Sequence, residues 1–229
     1  MIQAGSGTLG VLDLQGGVQE HLDHLRRIGV TARTVKRAAE LEGLAGLIIP
    51  GGESTCLSRL LRIFGLDRAI VSAHREGLKL WGTCAGAILL AAENVGETPH
   101  LGLIDIAVHR NAFGSQLDSF HCTASVPAVA PEPLPLTFIR APKITRVGPG
   151  VRVILAMEGY IAAAETDDIL VTVFHPELTP TLAFHQYFAR KCGLIPPSGA
   201  RGTAVDATWD RRSWMDARRC GEPPSRERP

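Results

Sequence analysis

Gly82-Thr83-Cys84-Ala85-Gly86 sets one cysteine among small residues, after the apolar run Leu78–Trp81 and before a second run over 87–92. This is the G-x-nucleophile-x-G pattern of a strand-to-helix elbow. A nucleophile on so tight a turn needs neighbours without bulk, so that strand and helix can pass closely. Gly82, Ala85 and Gly86 supply that room. The turn also sets Cys84 at a helix N-terminus, where the dipole and free backbone N–H groups favour a thiolate. An isolated free cysteine is usually a small buried hydrophobe. The strand-elbow-helix setting reverses that reading here.

A thiolate that attacks a carbonyl needs a base that later protonates the leaving group. Of the eight histidines, only His175 directly follows a strongly apolar run, residues 169–174. His175-Pro176-Glu177 offers a carboxylate two residues on, within reach of the far imidazole nitrogen, where it would fix tautomer and orientation. By itself the tripeptide would pass for a surface loop. His21 and His24 lie three apart on a predicted helix, a metal-like spacing. No third ligand type lies nearby, so a packed or solvated helix face is the simpler reading, and neither metal nor cofactor is expected.

Pro50-Gly51-Gly52-Glu53-Ser54-Thr55 follows a predicted strand and opens a predicted helix. Its glycines let backbone N–H groups face a site, a geometry that also suits phosphate. Glu53 discourages phosphate and favours a tetrahedral oxyanion or a substrate ammonium. The expected oxyanion donors are the N–H of Gly52, by analogy with other elbows, and of Ala85. An ordinary helix-capping turn, with Ser54 or Thr55 as cap, is compatible with this.

These groups need elements to hold them. Strands are predicted over 8–14, 32–35, 46–50 and 78–81, with helices over 18–28, 53–63, 67–75, 85–92 and 181–191. Val18, Leu22, Leu25 and Ile28 form one face of the first helix and Gly29 its C-cap. Strand, glycine turn and helix in repetition make an α/β fold with a mostly parallel central sheet and helices on both faces. Every glycine turn named lies at a strand's carboxyl end, where such sheets bind ligands. The second half reads as strands over 102–110, 123–130, 136–140, 152–157, 160–165 and 169–174. Pro127, Pro131, Pro133 and Pro135 mark a turn-rich connection. The reading divides the chain into an extension at 1–7, one domain at 8–193, and a disordered arginine- and proline-rich tail at 194–229 that holds Trp209 and Trp214.

The chain has 229 residues and a formal net charge of +1, which argues against nucleic acid or an acidic membrane surface as the main partner. No apolar run approaches the ~20 residues of a spanning helix. The first residues lack the basic start and apolar stretch of a secretory signal, so a cytoplasmic protein is expected. Five scattered cysteines, with no Cys-x-x-Cys pair, are expected to be thiols.

The segments LQGG (14–17), IIPGGEST (48–55), WGTCAGAILLA (81–91), RNAFGSQLDSF (110–120), FIRAP (138–142) and FHPEL (174–178) together resemble one family. It is that of the PdxT-type glutaminase subunits of pyridoxal 5′-phosphate synthase, class I triad-type glutamine amidotransferases. The resemblance runs from about Leu9 to Cys192. It implies a flavodoxin-like three-layer sandwich and a triad of Cys84, His175 and Glu177. It also implies that Gly52, Glu53, Ser54, Arg110, Ile139 and Arg140 hold L-glutamine, Glu53 suiting the α-ammonium and an arginine the α-carboxylate. The implied partner is the (β/α)8-barrel synthase subunit, which uses the ammonia to build pyridoxal 5′-phosphate. Gln15, Gly16 and Gly17 are implied near the oxyanion hole and the docking surface. SQLDSFHC departs from the family's commoner form, so His121 and Cys122 are expected to alter packing or docking, while Arg110 and Asn111 are kept. A glutaminase serving another pathway, a cysteine-peptidase-like α/β protein and a non-catalytic regulatory subunit stay open as alternatives.

Overall fold

The computed structural model describes residues 7–110, 119–195 and the pair Asp216–Ala217. In chain order the strands are β1 (Thr8–Leu12), β2 (Ala32–Val35), β3 (Leu44–Ile49), β4 (Lys79–Thr83), β5 (Ala91–Asn94) and β6 (Ile104–His109). There follow β7 (Phe120–Ala124), β8 (Leu134–Phe138), β9 (Lys143–Val147), β10 (Arg152–Met157), β11 (Tyr160–Glu165), β12 (Ile169–Thr172) and β13 (Asp216–Ala217). The helices are α1 (Val18–Arg27), α2 (Ser54–Ile63), α3 (Leu66–Arg75), α4 (Ala85–Leu90) and α5 (Ala183–Lys191), with short 3-10 turns at Ala38–Leu41 and Pro176–Leu178.

The main sheet runs β2-β1-β3-β4-β12-β11-β9-β6-β5, with β10 hydrogen-bonded to β11 off this path. From β2 to β12 every pairing is parallel. β11, β9 and β6 then continue it antiparallel. Leu47, Ile48, Ile49, Leu80 and Trp81 are wholly buried, as apolar runs in a sheet covered on both faces should be. The chain goes out from β1 to β2 and returns across β1 to β3, so the strand order reverses there. Right-handed crossovers put α1 on one face and α2–α3 on the other, the flavodoxin-like arrangement. Ligands of such sheets bind at the strand ends beside the reversal, and that is where Gln15–Gly17 and Gly51–Gly52 lie.

Several local readings change. The buried face of α1 carries His21, His24 and Leu25, while Val18 and Leu22 are only partly covered. The reason is that α1 packs its histidine side against Trp81 and His185 of α5. Residues 91–92, read as helical, begin β5: pairing of Ala91 with Ile104 of β6 outweighs a modest alanine helix propensity. β7 starts at Phe120 rather than Thr123, because its partner β8 sets the register from Phe120↔Phe138. Pro135, read as part of a connection, lies within β8 opposite Thr123. β9 was not anticipated, since its pattern of mostly polar and half-covered residues carries no alternation.

Cys122 is disulfide-bonded, against the expectation that all five cysteines are thiols; Cys56, Cys84 and Cys192 are free. β13 lies parallel to β7, the strand that carries Cys122. Contact between such distant stretches is not written in cysteine spacing. Asp216–Ala217 also falls within the stretch expected to be disordered, and Leu194 is buried beside Gly7. Residues 1–6, Asn111, Trp209, Trp214 and the rest of the tail lie outside the described residues. Among those described, no helix is long and apolar enough to cross a membrane.

Candidate active site

β4 ends at Thr83, Cys84 takes φ +48, and α4 starts at Ala85. A left-handed backbone is costly for any residue with a Cβ, so the elbow is held by its surroundings. A Cβ on Gly86 would stand 2.0 Å from the Ile49 carbonyl oxygen, and one on Gly82 would stand 2.5 Å from the Gly86 carbonyl. The small residues are therefore demanded by backbone-to-backbone packing of β3, β4 and α4. Among the described residues the only other non-glycine with positive φ is Arg140, at +44. Its neighbour Ile139 presents a carbonyl oxygen 4.0 Å from Cys84 Sγ. Both strained residues border one cleft.

That cleft, about 220 Å³, is lined by Gly52, Glu53, Ser54, Cys84, Ala85, Ile88, Arg110, Ile139, Arg140, Pro142 and His175. It brings together residues expected to serve attack, oxyanion binding and substrate binding. Roomier grooves lie elsewhere. One, between Arg152, Glu165 and Lys191, is lined by no cysteine or histidine, another holds Cys192, whose thiol is pushed up to about 12 by burial, and a third holds His100 but no cysteine. Among these grooves, the cleft at Cys84 is the one that sets a cysteine beside a histidine.

His175 Nδ1 donates to Glu177 Oε1 at 2.7 Å. Burial opposes a protonated imidazole, but the Glu177 carboxylate and the neighbouring Cys84 side chain outweigh it, and the His175 pKa is pushed up to about 10. Glu177 is buried, which by itself would raise its carboxyl pKa; His21 and His175 nevertheless hold it below the usual range. A Cβ on Gly51 would meet His175 Cε1 at 2.5 Å and Cys84 Cβ at 3.3 Å, so the glycine loop closes over both. Such a constellation can form an ion pair of thiolate and imidazolium, attack a carbonyl carbon and protonate a leaving group.

The glycine loop is braced from β1. Gln15 Oε1 accepts from the Glu53 N–H at 3.0 Å, and a Cβ on Gly16 would stand 1.9 Å from the Gly51 oxygen. A Cβ on Gly17 would stand 3.0 Å from Glu177 Oε1, so the same short segment touches both sides of the site. Ala85 opens α4, and its N–H has no partner within the helix.

The cap of α2 is Glu53, not Ser54 or Thr55: its carboxylate accepts from the Thr55 and Cys56 N–H groups. It reaches them because its backbone is extended, as a cap requires. Burial works against its charge, but those bonds and Arg110 keep its pKa below the usual carboxylate range. Ser54 Oγ is buried without a partner among the described residues. Arg110, at the end of β6, donates to Glu97, Thr55 and Glu53.

Sequence reasoning passed over His185 and read His21 only as part of a packed or solvated helix face. His21 Nε2 faces Glu177 Oε2 at 3.5 Å, and His21 Nδ1 lies 2.9 Å from His185 Nε2. The available signal was a histidine at i, i+4 and i+7 with Leu25 and Ile28, inside an apolar stripe. Both nitrogens of His24 face carbonyl oxygens, of Glu20 at 2.9 Å and Thr179 at 3.0 Å. Among the described residues no group of three or more potential ligands could hold a metal. His121 is buried between β7 and β8, with Nδ1 2.9 Å from Thr137 Oγ1.

Residues 11–194 match the model of the SNO glutamine amidotransferase family. A relative in Syntrophus aciditrophicus (strain SB), called pyridoxal 5′-phosphate synthase subunit PdxT, is 59% identical over 208 residues, which is 91% of this chain and 93% of the relative. A protein of the same name in Caldanaerobacter subterraneus subsp. tengcongensis is 48% identical over 184 residues, 80% of this chain and 97% of its own. A crystal structure described as a glutamine amidotransferase superposes with a TM-score of 0.77 at 41% identity, covering 82% of this chain and all of the other.

Proposed function

Because the chain belongs to the SNO glutamine amidotransferase family, we propose that it hydrolyses L-glutamine to L-glutamate and ammonia through Cys84, His175 and Glu177. The observation that carries the proposal is that His175, held from behind by the buried Glu177, lines one cleft with Cys84 on its strained elbow.

In this mechanism the Cys84 thiolate attacks the side-chain amide carbon. The N–H groups of Gly52 and Ala85 receive the oxyanion of the tetrahedral intermediate. The protonated His175 gives its Nε2 proton to the departing nitrogen, ammonia leaves, and a γ-glutamyl thioester remains on Cys84. The now neutral His175 takes a proton from water, whose oxygen attacks the thioester. Collapse releases glutamate and restores the thiolate–imidazolium pair. Glu177 stays ionised throughout and orients the imidazole. Glu53 and Arg110 are proposed to bind the α-ammonium and α-carboxylate, with Ser54, Ile139 and Arg140 completing the pocket.

Ammonia is useful only where something consumes it. The names of the Syntrophus and Caldanaerobacter relatives support a pyridoxal 5′-phosphate synthase as consumer. That consumer is proposed to be a (β/α)8-barrel subunit docked near Gln15–Gly17, in the cytoplasm. The test is a coupled assay of glutamate and pyridoxal 5′-phosphate, with and without the cognate synthase. Synthase-dependent formation of both is expected, and Cys84→Ala abolishes both. Appreciable glutamate from Cys84→Ala would refute the assignment.

A further inference from the structure

Glu177 has two carboxylate oxygens, and the mechanism uses one. Oε1 receives the His175 Nδ1–H. Oε2 is buried without a hydrogen-bond partner among the described residues and faces His21 Nε2 at 3.5 Å. His21 is itself wholly buried, with its other nitrogen 2.9 Å from Nε2 of the wholly buried His185. Trp81 packs edge-on against both rings and His24 lies against His185, so neither imidazole is free to turn.

For a neutral His21 facing an ionised Glu177, this geometry admits one arrangement of protons. A carboxylate only accepts, so the nitrogen that faces Glu177 must carry a hydrogen. A neutral His21 protonated at Nε2 presents a lone pair at Nδ1, which His185 can meet only by donating its own Nε2–H. The opposite tautomer would set two lone pairs, one of them on an anion, against each other in a dry interior. We propose that His21 and His185 are positioning residues of the reaction: His185 orients a neutral His21, whose Nε2–H steadies the second oxygen of Glu177 and keeps that carboxylate ionised and aimed at His175. The 3.5 Å approach is long for a hydrogen bond, and such contacts tighten when substrate is bound.

Other titratable groups fit this assignment. Around His21 stand Glu177 and His175 from the turn after β12, His185 from α5 and His24 from its own helix, with Arg27 acting on His185. Burial drives His21 down to about 4, against the pull of Glu177 and helped by His24 and His175, so the ring is neutral at working pH. Burial also holds His185 well below the usual histidine range.

The inference rests on the glutaminase reading, and two measurements keep them apart. In the complex with synthase, His21→Leu should lower kcat about tenfold with little change in KM, the scale seen when a group that orients a reacting residue is removed. It should also move the acid limb of the kcat profile upward by about one pH unit, because an unsupported Glu177 protonates more readily. His21→Gln, whose amide can reach the same oxygen, should recover most of both effects, and His185→Leu should give a smaller loss in the same direction. An unchanged acid limb in His21→Leu, or no recovery in His21→Gln, would overturn the proposal. Nitrogen NMR of the wild-type protein alone provides the second measurement. His21 protonated at Nε2 only, at neutral pH, is required; an Nδ1–H tautomer or an imidazolium refutes the relay. That spectrum reads the relay even if wild-type complex releases no glutamate, a result that would refute the glutaminase reading instead.

Discussion

Arg110 Nη2 lies 3.2 Å from Glu53 Oε1, so a cation at the end of β6 and an anion at the cap of α2 bridge the mouth of the Cys84 cleft. Glu97 holds the other side of the guanidinium at 3.1 Å. The two groups proposed to grip opposite ends of one amino acid therefore grip each other, and substrate has to divide them. The pair is half-exposed, so it contributes at most about 1 kcal/mol and is cheaply opened.

Exchange of partners of this kind predicts that Glu53→Gln weakens glutamine binding more than it slows chemistry. KM should rise about tenfold or more with kcat changed less than threefold, consistent with loss of one charged contact made equally in ground and transition states. Loss of half the α2 cap should cost under about 1 kcal/mol of stability. Steady-state kinetics in complex, beside a denaturant titration, separate the two effects.

Removing the charge of Glu177 should be far more damaging. In Glu177→Gln an amide replaces the anion that lifts His175 to about 10, so the proposed ion pair at Cys84 loses its support. A fall in kcat of three to four orders of magnitude is expected, comparable to neutralising the acid of a serine-protease triad. The change can be read as glutamate release in complex and, without partner, as slower alkylation of Cys84 below pH 7.

The elbow predicts a conflict between activity and stability. With Cys84 at φ +48, Cys84→Gly should be more stable than Cys84→Ala by about 1 kcal/mol, both being inactive. Gly86→Ala, whose Cβ would stand 2.0 Å from a backbone oxygen of β3, should lose about 3 kcal/mol or more, or fail to fold. Urea titrations of the three variants test this ordering.

Acid should unfold the protein early. His21 has a folded pKa near 4 against an ordinary value of 6.5, so its contribution is fully present above pH 6.5 and is lost as pH falls towards 4. By pH 4.5 that loss is about 2–3 kcal/mol from His21 alone. His185 adds to it in the same direction, and Glu177, with a lowered pKa, adds more below the usual carboxylate range. His175 has the opposite sign: its contribution is full below pH 6.5 and disappears as pH rises towards 10. Stability measured against pH should therefore fall off on both sides of neutrality, and His21→Gln should flatten the slope between pH 6.5 and 4.5.

Elements with strong local signals were legible before the structure. Glycine turns marked the ends of β1, β3 and β4, and α1, α2, α3 and α5 followed their apolar spacing. β5 and β9 were not legible, because Ala91–Asn94 has helical composition and Lys143–Val147 has no alternation; β5 becomes a strand by pairing with β6, and β9 by pairing with β6 and β11. Cys122 could not be read as disulfide-bonded, since nothing near it in sequence distinguishes it from a thiol.

The chemistry proposed for Cys84 can be read from sequence alone, because an elbow, a His-Pro-Glu turn and a glycine loop are each complete within a few residues and their conformations follow from local sterics. What surrounds that chemistry was decided by tertiary structure. His185 lies 164 positions from the His21 it faces, and Arg110 lies 57 from Glu53. No local rule relates such positions. The reversal of strand order at β1 sets Gln15–Gly17 between the glycine loop and Glu177, and the packing of α1 on Trp81 and α5 turns two histidines inward behind the carboxylate.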